Sequence, residues 1–306
     1  MKPWPATPTS CAPFHPMTPP ETSTITTVFR SAVELLARAG VPSPDVDAEL
    51  LIGFVLGMSR GEVQAKAITG GAVSTGEVAT ISAMVERRAA REPLQHITGR
   101  APFRSLELAV GPGVFVPRPE TEQVAQFAID ALRAAAGPEP IGVDLGTGSG
   151  AIALALATEV PHALVYGVEN SPEAFIWTRQ NFHESGADNA HAVFIDLASA
   201  LPELDGMVAV VISNPPYIPL GAIPRDPEVR LFDPEHALYG GEDGLDVVRQ
   251  VSRTARRLLH PGGALVLEHG ELQAAAIMAI LVADGWRSIV SHPDFLGRDR
   301  STTALR

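Results

Sequence analysis

Two short segments of this 306-residue chain combine residue types that can do chemistry. The first is Asn214-Pro215-Pro216-Tyr217, which follows the apolar run Val208–Ile212 and Ser213. Two consecutive prolines cannot continue a strand and remove two backbone donors, so a rigid turn is predicted at the strand's carboxyl end. The Asn214 side-chain carbonyl and the Pro215 backbone carbonyl both accept hydrogen bonds, and together they suit a planar NH₂ group. Tyr217 adds a flat wall with a partly negative face. An amide or aromatic amine is a poor nucleophile because its lone pair is delocalised. Two acceptors on its hydrogens favour pyramidalisation, aim the lone pair and stabilise positive charge developing on nitrogen. Taken alone, the segment reads equally well as a plain proline turn.

The second segment is Asp144-Leu145-Gly146-Thr147-Gly148-Ser149-Gly150, between an apolar strand and the helical run that begins at Ala151. Glycines at 146, 148 and 150 permit positive φ and close approach of the backbone to a ligand. The helix start supplies free N–H groups. The next strand ends in Val168-Glu169, where a carboxylate can take both hydroxyls of a ribose. Two cofactors fit this spacing. A dinucleotide fold prefers G-x-G-x-x-G and a pyrophosphate on the helix. The pattern here is G-x-G-x-G after Asp144, which suits S-adenosyl-L-methionine (SAM), a ligand with a positive sulfonium and no phosphate. Asp196, after a third strand, is placed to hold an adenine amino group, with Leu197 beside it; a solvated loop aspartate fits Asp196 as well. The two segments together point to methyl transfer onto a planar nitrogen, with S-adenosyl-L-homocysteine as product. Asn214, Pro215 and Tyr217 would be the catalytic residues, and no strong general base is required.

Those segments need a sheet to position them. From Gly137 strands and helices alternate, which predicts a mostly parallel α/β sheet. Strands are predicted at 141–143, 163–168, 192–195, 208–213, 264–268 and 288–291, and helices near 151–158, 172–184, 245–259 and 272–284. A further helix is predicted from Pro119-Glu120 to Ala136, with acidic residues in its first turn where the dipole favours them. Residues 23–92 carry helical spacing and no strand signal. Val28, Ala32, Leu35, Leu36 and Ala39 share a face that Gly40 ends. Ser43-Pro44-Asp45 reads as a helix start, with Val46, Leu50, Leu51, Phe54 and Val55 on one side of the helix that follows. Shorter and longer helices follow near 61–67 and 74–91. Between 93 and 116, Leu106, Leu108 and Val110 alternate and Gly111-Pro112-Gly113 makes a turn, predicting a β-hairpin linker.

Composition narrows the function further. Apolar residues make up 45% and charged residues 19% of the chain, as in a globular protein with a real core. The single cysteine, Cys11, excludes an intramolecular disulfide framework, a cysteine-rich zinc site and an iron–sulfur cluster. His96, His236 and His269 show no metal-ligand spacing, and no metal is expected. No apolar run approaches the ~20 residues that span a bilayer. Residues 1–22 hold seven prolines and are predicted to be a disordered tail. The chain is expected to be a cytoplasmic monomer without a membrane partner.

Four more segments make the sequence similar to a known family. They are Pro93-Leu94-Gln95-His96-Ile97-Thr98-Gly99, Val116-Pro117-Arg118-Pro119-Glu120-Thr121-Glu122, Ala237-Leu238-Tyr239-Gly240-Gly241 with Asp243-Gly244-Leu245-Asp246, and Gly297-Arg298-Asp299-Arg300. With the two segments above, they resemble the HemK-type protein-(glutamine-N5) methyltransferases that modify release factors, over about residues 25–306. The resemblance implies a seven-stranded SAM-dependent methyltransferase domain of Rossmann-like fold, a small N-terminal helical bundle and a β-hairpin linker. The corresponding spans are 117–306, 23–92 and 93–116. It implies transfer to the glutamine amide of the Gly-Gly-Gln loop of class 1 peptide chain release factors. Asp144, Gly146, Thr147, Gly148, Ser149, Gly150, Glu169, Asp196, Leu197 and Asn214 would then surround the cofactor, and Asn214 to Tyr217 would bind the glutamine. Two departures stand out: Glu169 where aspartate is common, and Leu197 where the family often has an aromatic residue.

Other readings exist. A glutamine in a ribosomal protein, or an exocyclic amine of a nucleobase, presents the same two hydrogens to Asn214. Base-modifying enzymes must also grip the flanking phosphates. Yet the formal charge is −12, and residues 93–306 hold 15 basic against 26 acidic residues. That balance opposes direct nucleic-acid binding. A non-catalytic scaffold would have no need of the glycine loop, Glu169 and Asn214–Tyr217 all at once.

Overall fold

The computed structural model describes residues 22–306, and the expected tail lies outside them except for Thr22. The chain divides after Ala90 into two compact units.

The first unit is helical: α1 (Ile25–Arg38), α2 (Pro44–Leu56), α3 (Arg60–Thr69) and α4 (Thr75–Ala89). Its core includes the fully buried Ile25, Leu36, Leu51, Ile52 and Ile81. Capping boxes start two of the helices. Ser59 and Glu62 cap α3, and Ser74 and Glu77 cap α4, each pair satisfying orphan N–H groups reciprocally. Two expectations are corrected here. Short strands do occur, β1 (Thr22–Thr24) against β2 (Ala72–Ser74), antiparallel; each runs into a helix N-cap, Thr24 or Ser74. On α2, Leu50 and Phe54 are exposed, and Ala48, Leu51 and Ile52 are the buried face. Apolar residues are spread around that helix, so periodicity does not choose a side. Arg88 reaches its Asp47 Oδ2 at 2.6 Å with both side chains largely buried.

The second unit opens with α5 (Leu94–Thr98) and the hairpin β3 (Arg100–Phe103) and β4 (Leu106–Ala109). The hairpin exists, but its turn is Arg104-Ser105 and not Gly111-Pro112-Gly113. Arg104 takes a positive φ of 53°, and its side chain is anchored by Glu159 and Gln126, with its N–H donated to Glu122. Gly111 serves packing instead, since a Cβ there would lie 2.5 Å from the Trp177 ring.

The remaining elements form a seven-stranded sheet with helices on both faces. They are α6 (Pro119–Ala134), β5 (Ile141–Leu145), α7 (Ala151–Glu159), β6 (Leu164–Glu169), α8 (Pro172–Ser185), β7 (Ala190–Phe194), β8 (Val208–Ser213), α9 (Pro227–Phe232), α10 (Glu235–Leu238), α11 (Asp246–Leu258), β9 (Leu259–Glu268), α12 (Ala274–Ala283), β10 (Arg287–Pro293) and β11 (Asp299–Leu305). The strand order is β10-β11-β9-β8-β5-β6-β7, and β11 alone runs antiparallel to both its neighbours. Strand alternation sends Val210 and Ile212 to one face with α6 and α7, and Val211 to the other with α11 and α12. Every residue of β8 is buried, as its continuous apolar run requires of a central parallel strand. The predicted helices and six strands all form, β8 with the expected ends and the others with shifted ones. The terminal strand β11 has no counterpart among the residue-level expectations, because Arg, Ser and Thr dilute its apolar pattern.

Candidate active site

Register builds the site. On the adjacent parallel strands β5 and β8, Asp144 is level with Ile212, so Gly146 and Asn214 emerge side by side two residues later. On β6 and β7, Glu169 is level with Phe194, so Asp196 emerges two residues beyond, where Asn170 Nδ2 donates to it at 3.3 Å. Chain order reverses at β5, between β8 on one side and β6 on the other, which is where open α/β sheets bind ligands. A cavity of about 820 Å³ opens there. Of the residues singled out from sequence, Gly146, Thr147, Gly148, Ser149, Glu169, Asp196, Leu197 and Asn214–Tyr217 line it.

Asp144 and Gly150 do not line it. Asp144 is fully buried, and its Oδ2 accepts from the Thr147 hydroxyl at 2.6 Å and the Ala153 N–H at 3.2 Å. It locks the glycine loop to the start of α7 and does not face the cavity. Burial pushes its carboxyl up to about 7, against the hydrogen bond from Thr147. Gly150 is required by packing, since a Cβ would meet the Phe182 ring at 2.8 Å. Gly146 and Gly148 differ. Both hold positive φ, and a Cβ on either would find nothing within 4 Å. Here glycine leaves open space beside the cavity, as a backbone meant to touch a ligand would.

Glu169 organises the loop around that space. Its Oε2 accepts from Gly148 N–H at 2.9 Å, and its Oε1 from the N–H groups of Asn170 and Ser171 at 2.9 and 2.8 Å. Asp196 accepts from Asn170 Nδ2, Ala198 N–H and Gln250 Nε2.

The turn after β8 is held by the glycine segment that follows α10. Ile218 N–H donates to the Leu238 carbonyl at 2.8 Å, Gly240 N–H donates to the Ile218 carbonyl at 2.9 Å, and Gln273 Nε2 donates to the Tyr217 carbonyl at 2.8 Å. A Cβ on Gly240 would lie 2.4 Å from the Pro216 carbonyl oxygen and 2.6 Å from that of Gly244. Both obstacles are backbone, so Gly240→Ala is expected to displace the proline turn. The cost should be about 1–3 kcal/mol of stability, seen as a lower Tm in thermal unfolding. Tyr217 stays a neutral phenol, pushed up to about 12 by burial and by the Glu268 charge.

Several cavity residues were not assigned a role from sequence: Thr121, Glu268 and Arg300 among them. Thr121 sits in the first turn of α6, and its hydroxyl is 3.5 Å from Asn214 Nδ2. Glu268 closes β9, almost fully buried, with Oε2 lacking a hydrogen-bond partner. Burial pushes it up to about 7; the Thr121 hydroxyl and the Arg300 charge oppose that. The signal was present in the sequence, an acidic residue ending an otherwise apolar strand, but such a residue is as often structural. Arg118 pairs with the buried Asp233 at 2.8 Å and lies over the Phe115 ring. Burial pushes Asp233 up to about 6 despite that partner.

Comparison with known proteins settles the family. The profile of the PrmC N-terminal domain matches residues 27–99, and that of the methyltransferase small domain matches residues 105–224. The release factor glutamine methyltransferase of Streptomyces coelicolor is 52% identical over 277 residues, covering 90% of this chain and 95% of that protein. The chain belongs to the release factor glutamine methyltransferase family. The namesake from Bifidobacterium longum is 45% identical, covering 92% of this chain and 99% of the relative. The 4-amino-L-phenylalanine/4-methylamino-L-phenylalanine methyltransferase of Streptomyces pristinaespiralis is 44% identical over a shorter span, 72% of this chain and 76% of that protein. As a member of the release factor glutamine methyltransferase family, the chain is a methyltransferase, and its seven-stranded sheet is the fold the resemblance implied.

Proposed function

We propose that this chain transfers a methyl group from SAM to the side-chain amide nitrogen, N5, of the glutamine in the Gly-Gly-Gln loop of class 1 release factors. It would act as a cytoplasmic monomer, without direct nucleic-acid contact. The observation that carries this reading is the shared cavity: the glycine loop and Glu169 on one side, Asn214–Tyr217 on the other, placed there by strand register. The helical unit is assigned recognition of the protein substrate, the hairpin that follows it is assigned the part of a linker, and the seven-stranded sheet is assigned the chemistry.

The residues present fit the cofactor. Gly146 and Gly148 leave backbone-lined space, Glu169 can receive ribose hydroxyls, and Asp196 and Leu197 border the place for an adenine. When bound, SAM supplies an electrophilic methyl on a positive sulfonium. Asn214 Oδ1 and the Pro215 carbonyl accept the two amide hydrogens and turn the nitrogen lone pair toward that methyl. As the new bond forms, positive charge grows on nitrogen, and the same two acceptors stabilise it more than they stabilised the planar amide. The nitrogen then loses a proton readily, which removes the need for a strong base. Tyr217, held neutral, contributes its ring as a wall and a cation–π surface.

Labelled SAM tests the reading. Purified class 1 release factor should take up label, and the same factor with its Gly-Gly-Gln glutamine replaced by alanine should not. Equal labelling of both would overturn the proposed acceptor.

A further inference from the structure

The prolines that stiffen the turn Asn214–Tyr217 also deprive it of donors, since neither Pro215 nor Pro216 has an N–H. Such a turn is held at its ends and through its carbonyls. The near end is β8, where Ser213 is level with Leu267 of β9 and its hydroxyl donates to the Leu145 carbonyl at 2.6 Å. At the far end, a side chain from the start of α12 reaches the Tyr217 carbonyl. We infer that Gln273 is a positioning residue: its carboxamide is a strut that fixes the Tyr217 carbonyl and thereby aims Asn214 and Pro215 at the substrate amide. This inference rests on the reading above.

Both ends of the strut are defined. Gln273 is the half-buried N-cap residue of α12. Its Oε1 accepts from Gly270 N–H at 3.0 Å, and its Nε2 donates to the Tyr217 carbonyl at 2.8 Å. A backbone N–H can only donate and a carbonyl can only accept, so one orientation of the carboxamide satisfies both. Turned over, it would set oxygen against oxygen and NH₂ against N–H, which is costly. Gly270 is itself anchored. Its carbonyl accepts from the Gln273 N–H and from His269 Nδ1, each at 3.0 Å. His269 is fully buried, and its Nε2 meets the Thr302 hydroxyl of β11 at 2.9 Å.

Two glycines leave room for the strut. A Cβ on Gly244 would lie 2.3 Å from the Tyr217 carbonyl oxygen and 3.0 Å from Gln273 Nε2, and so would intrude on their hydrogen bond. A Cβ on Gly270 would lie 3.0 Å from Gln273 Oε1. Three segments therefore meet at Gln273: the turn after β8, the glycine segment after α10 and the loop after β9. Gln273 is not among the residues that line the cavity, so its effect on the reaction passes through the turn.

The test compares Gln273→Glu and Gln273→Met with the wild type. Gln273→Glu keeps the shape and the acceptor for Gly270, and it sets a carboxylate oxygen against the Tyr217 carbonyl. Gln273→Met keeps the length and removes both contacts. Each should lower kcat at least about tenfold, since a shift of about 1 Å in a reacting geometry can cost about 100-fold. The dissociation constant for SAM should stay within about threefold. A residue that only stabilised the fold would make Gln273→Glu the milder change, because the contact with Gly270 survives. A spectroscopic readout needs no acceptor protein. The chain has three tyrosines, and Tyr217 alone precedes an isoleucine. Tyrosine labelled with carbon-13 at the carbonyl, combined with nitrogen-15 isoleucine, therefore singles out the Tyr217 carbonyl. Its resonance should shift in both variants, while that of Tyr166 on β6 stays in place. An unmoved Tyr217 signal overturns the inference. So does near-normal kcat in either variant, or a Gln273→Glu enzyme clearly more active than Gln273→Met. If the wild type modifies no release factor, the proposed reading fails, and the carbonyl signal still decides whether Gln273 holds the turn.

Discussion

Asn214→Ala should lose about 100-fold or more of kcat while the dissociation constant for SAM changes by less than about threefold. The reason lies in what Asn214 touches. It lines the cavity at the end of β8, and its side chain faces Thr121. Losing its carbonyl removes one of two acceptors that pyramidalise the amide, an interaction that strengthens as the transition state forms. A ground-state binding residue would raise KM instead. Single-turnover methyl transfer alongside calorimetric SAM binding separates the two. Near-normal turnover in this variant would remove Asn214 from the reaction.

Glu169→Ala should act in the opposite way, weakening SAM binding by about tenfold to a hundredfold, the worth of one or two hydrogen bonds to a charged group. It should also be less stable. The carboxylate accepts three backbone N–H groups, from Gly148, Asn170 and Ser171, and its loss leaves them unpaired beside the glycine loop. Glu169→Gln keeps a carbonyl acceptor and fills the same space. It should retain more of the stability than Glu169→Ala while still binding SAM less tightly, because the charge that strengthens a ribose contact is gone. Calorimetry on both variants, with their unfolding midpoints, checks this. An unchanged dissociation constant in Glu169→Ala would take Glu169 out of the cofactor site.

Much of the site was legible in the sequence because its logic is local. Strand, glycine loop and helix follow one another between Ile141 and Glu159, so spacing alone places Gly146 and Gly148 at a strand's carboxyl end. The same holds for Val208–Tyr217. What spacing could not show is direction. Asp144 lies within the motif yet points into the core, where Thr147 and Ala153 take its carboxylate. The residues that spacing left unassigned are those brought from far along the chain. Thr121 and Glu268 are 147 positions apart and border one cavity because α6 and β9 pack together. The errors in the fold have similar causes. Leu50 and Phe54 have the spacing of core residues on a helix whose apolar residues are spread around it, and the buried face instead carries Ala48, Leu51 and Ile52, with Asp47 paired to Arg88. Gly111-Pro112-Gly113 has the composition of a hairpin turn, yet Gly111 clears room for Trp177, Gly113 clears room for Glu173, and the Pro112 carbonyl accepts from the Trp177 indole.

The sequence segment Gly240-Gly241-Glu242-Asp243-Gly244 also gains a physical meaning. It lies outside the motifs with obvious chemistry, but its backbone supports the proline turn, and there is no room for a side chain at Gly240 or Gly244. Gly240 N–H donates to the Ile218 carbonyl and Leu220 N–H to the Gly241 carbonyl, which ties this segment to the turn that carries Asn214 and Tyr217.

The activity proposed for this protein is defined by the atom that receives the methyl group. Fragmentation mass spectrometry of a class 1 release factor, after reaction with this protein and SAM carrying a deuterated methyl, tests it most directly. The labelled methyl should sit on the side-chain nitrogen of the Gly-Gly-Gln glutamine and on no other residue. Label on a different residue, or a release factor returned unlabelled by an enzyme that binds SAM, would contradict it.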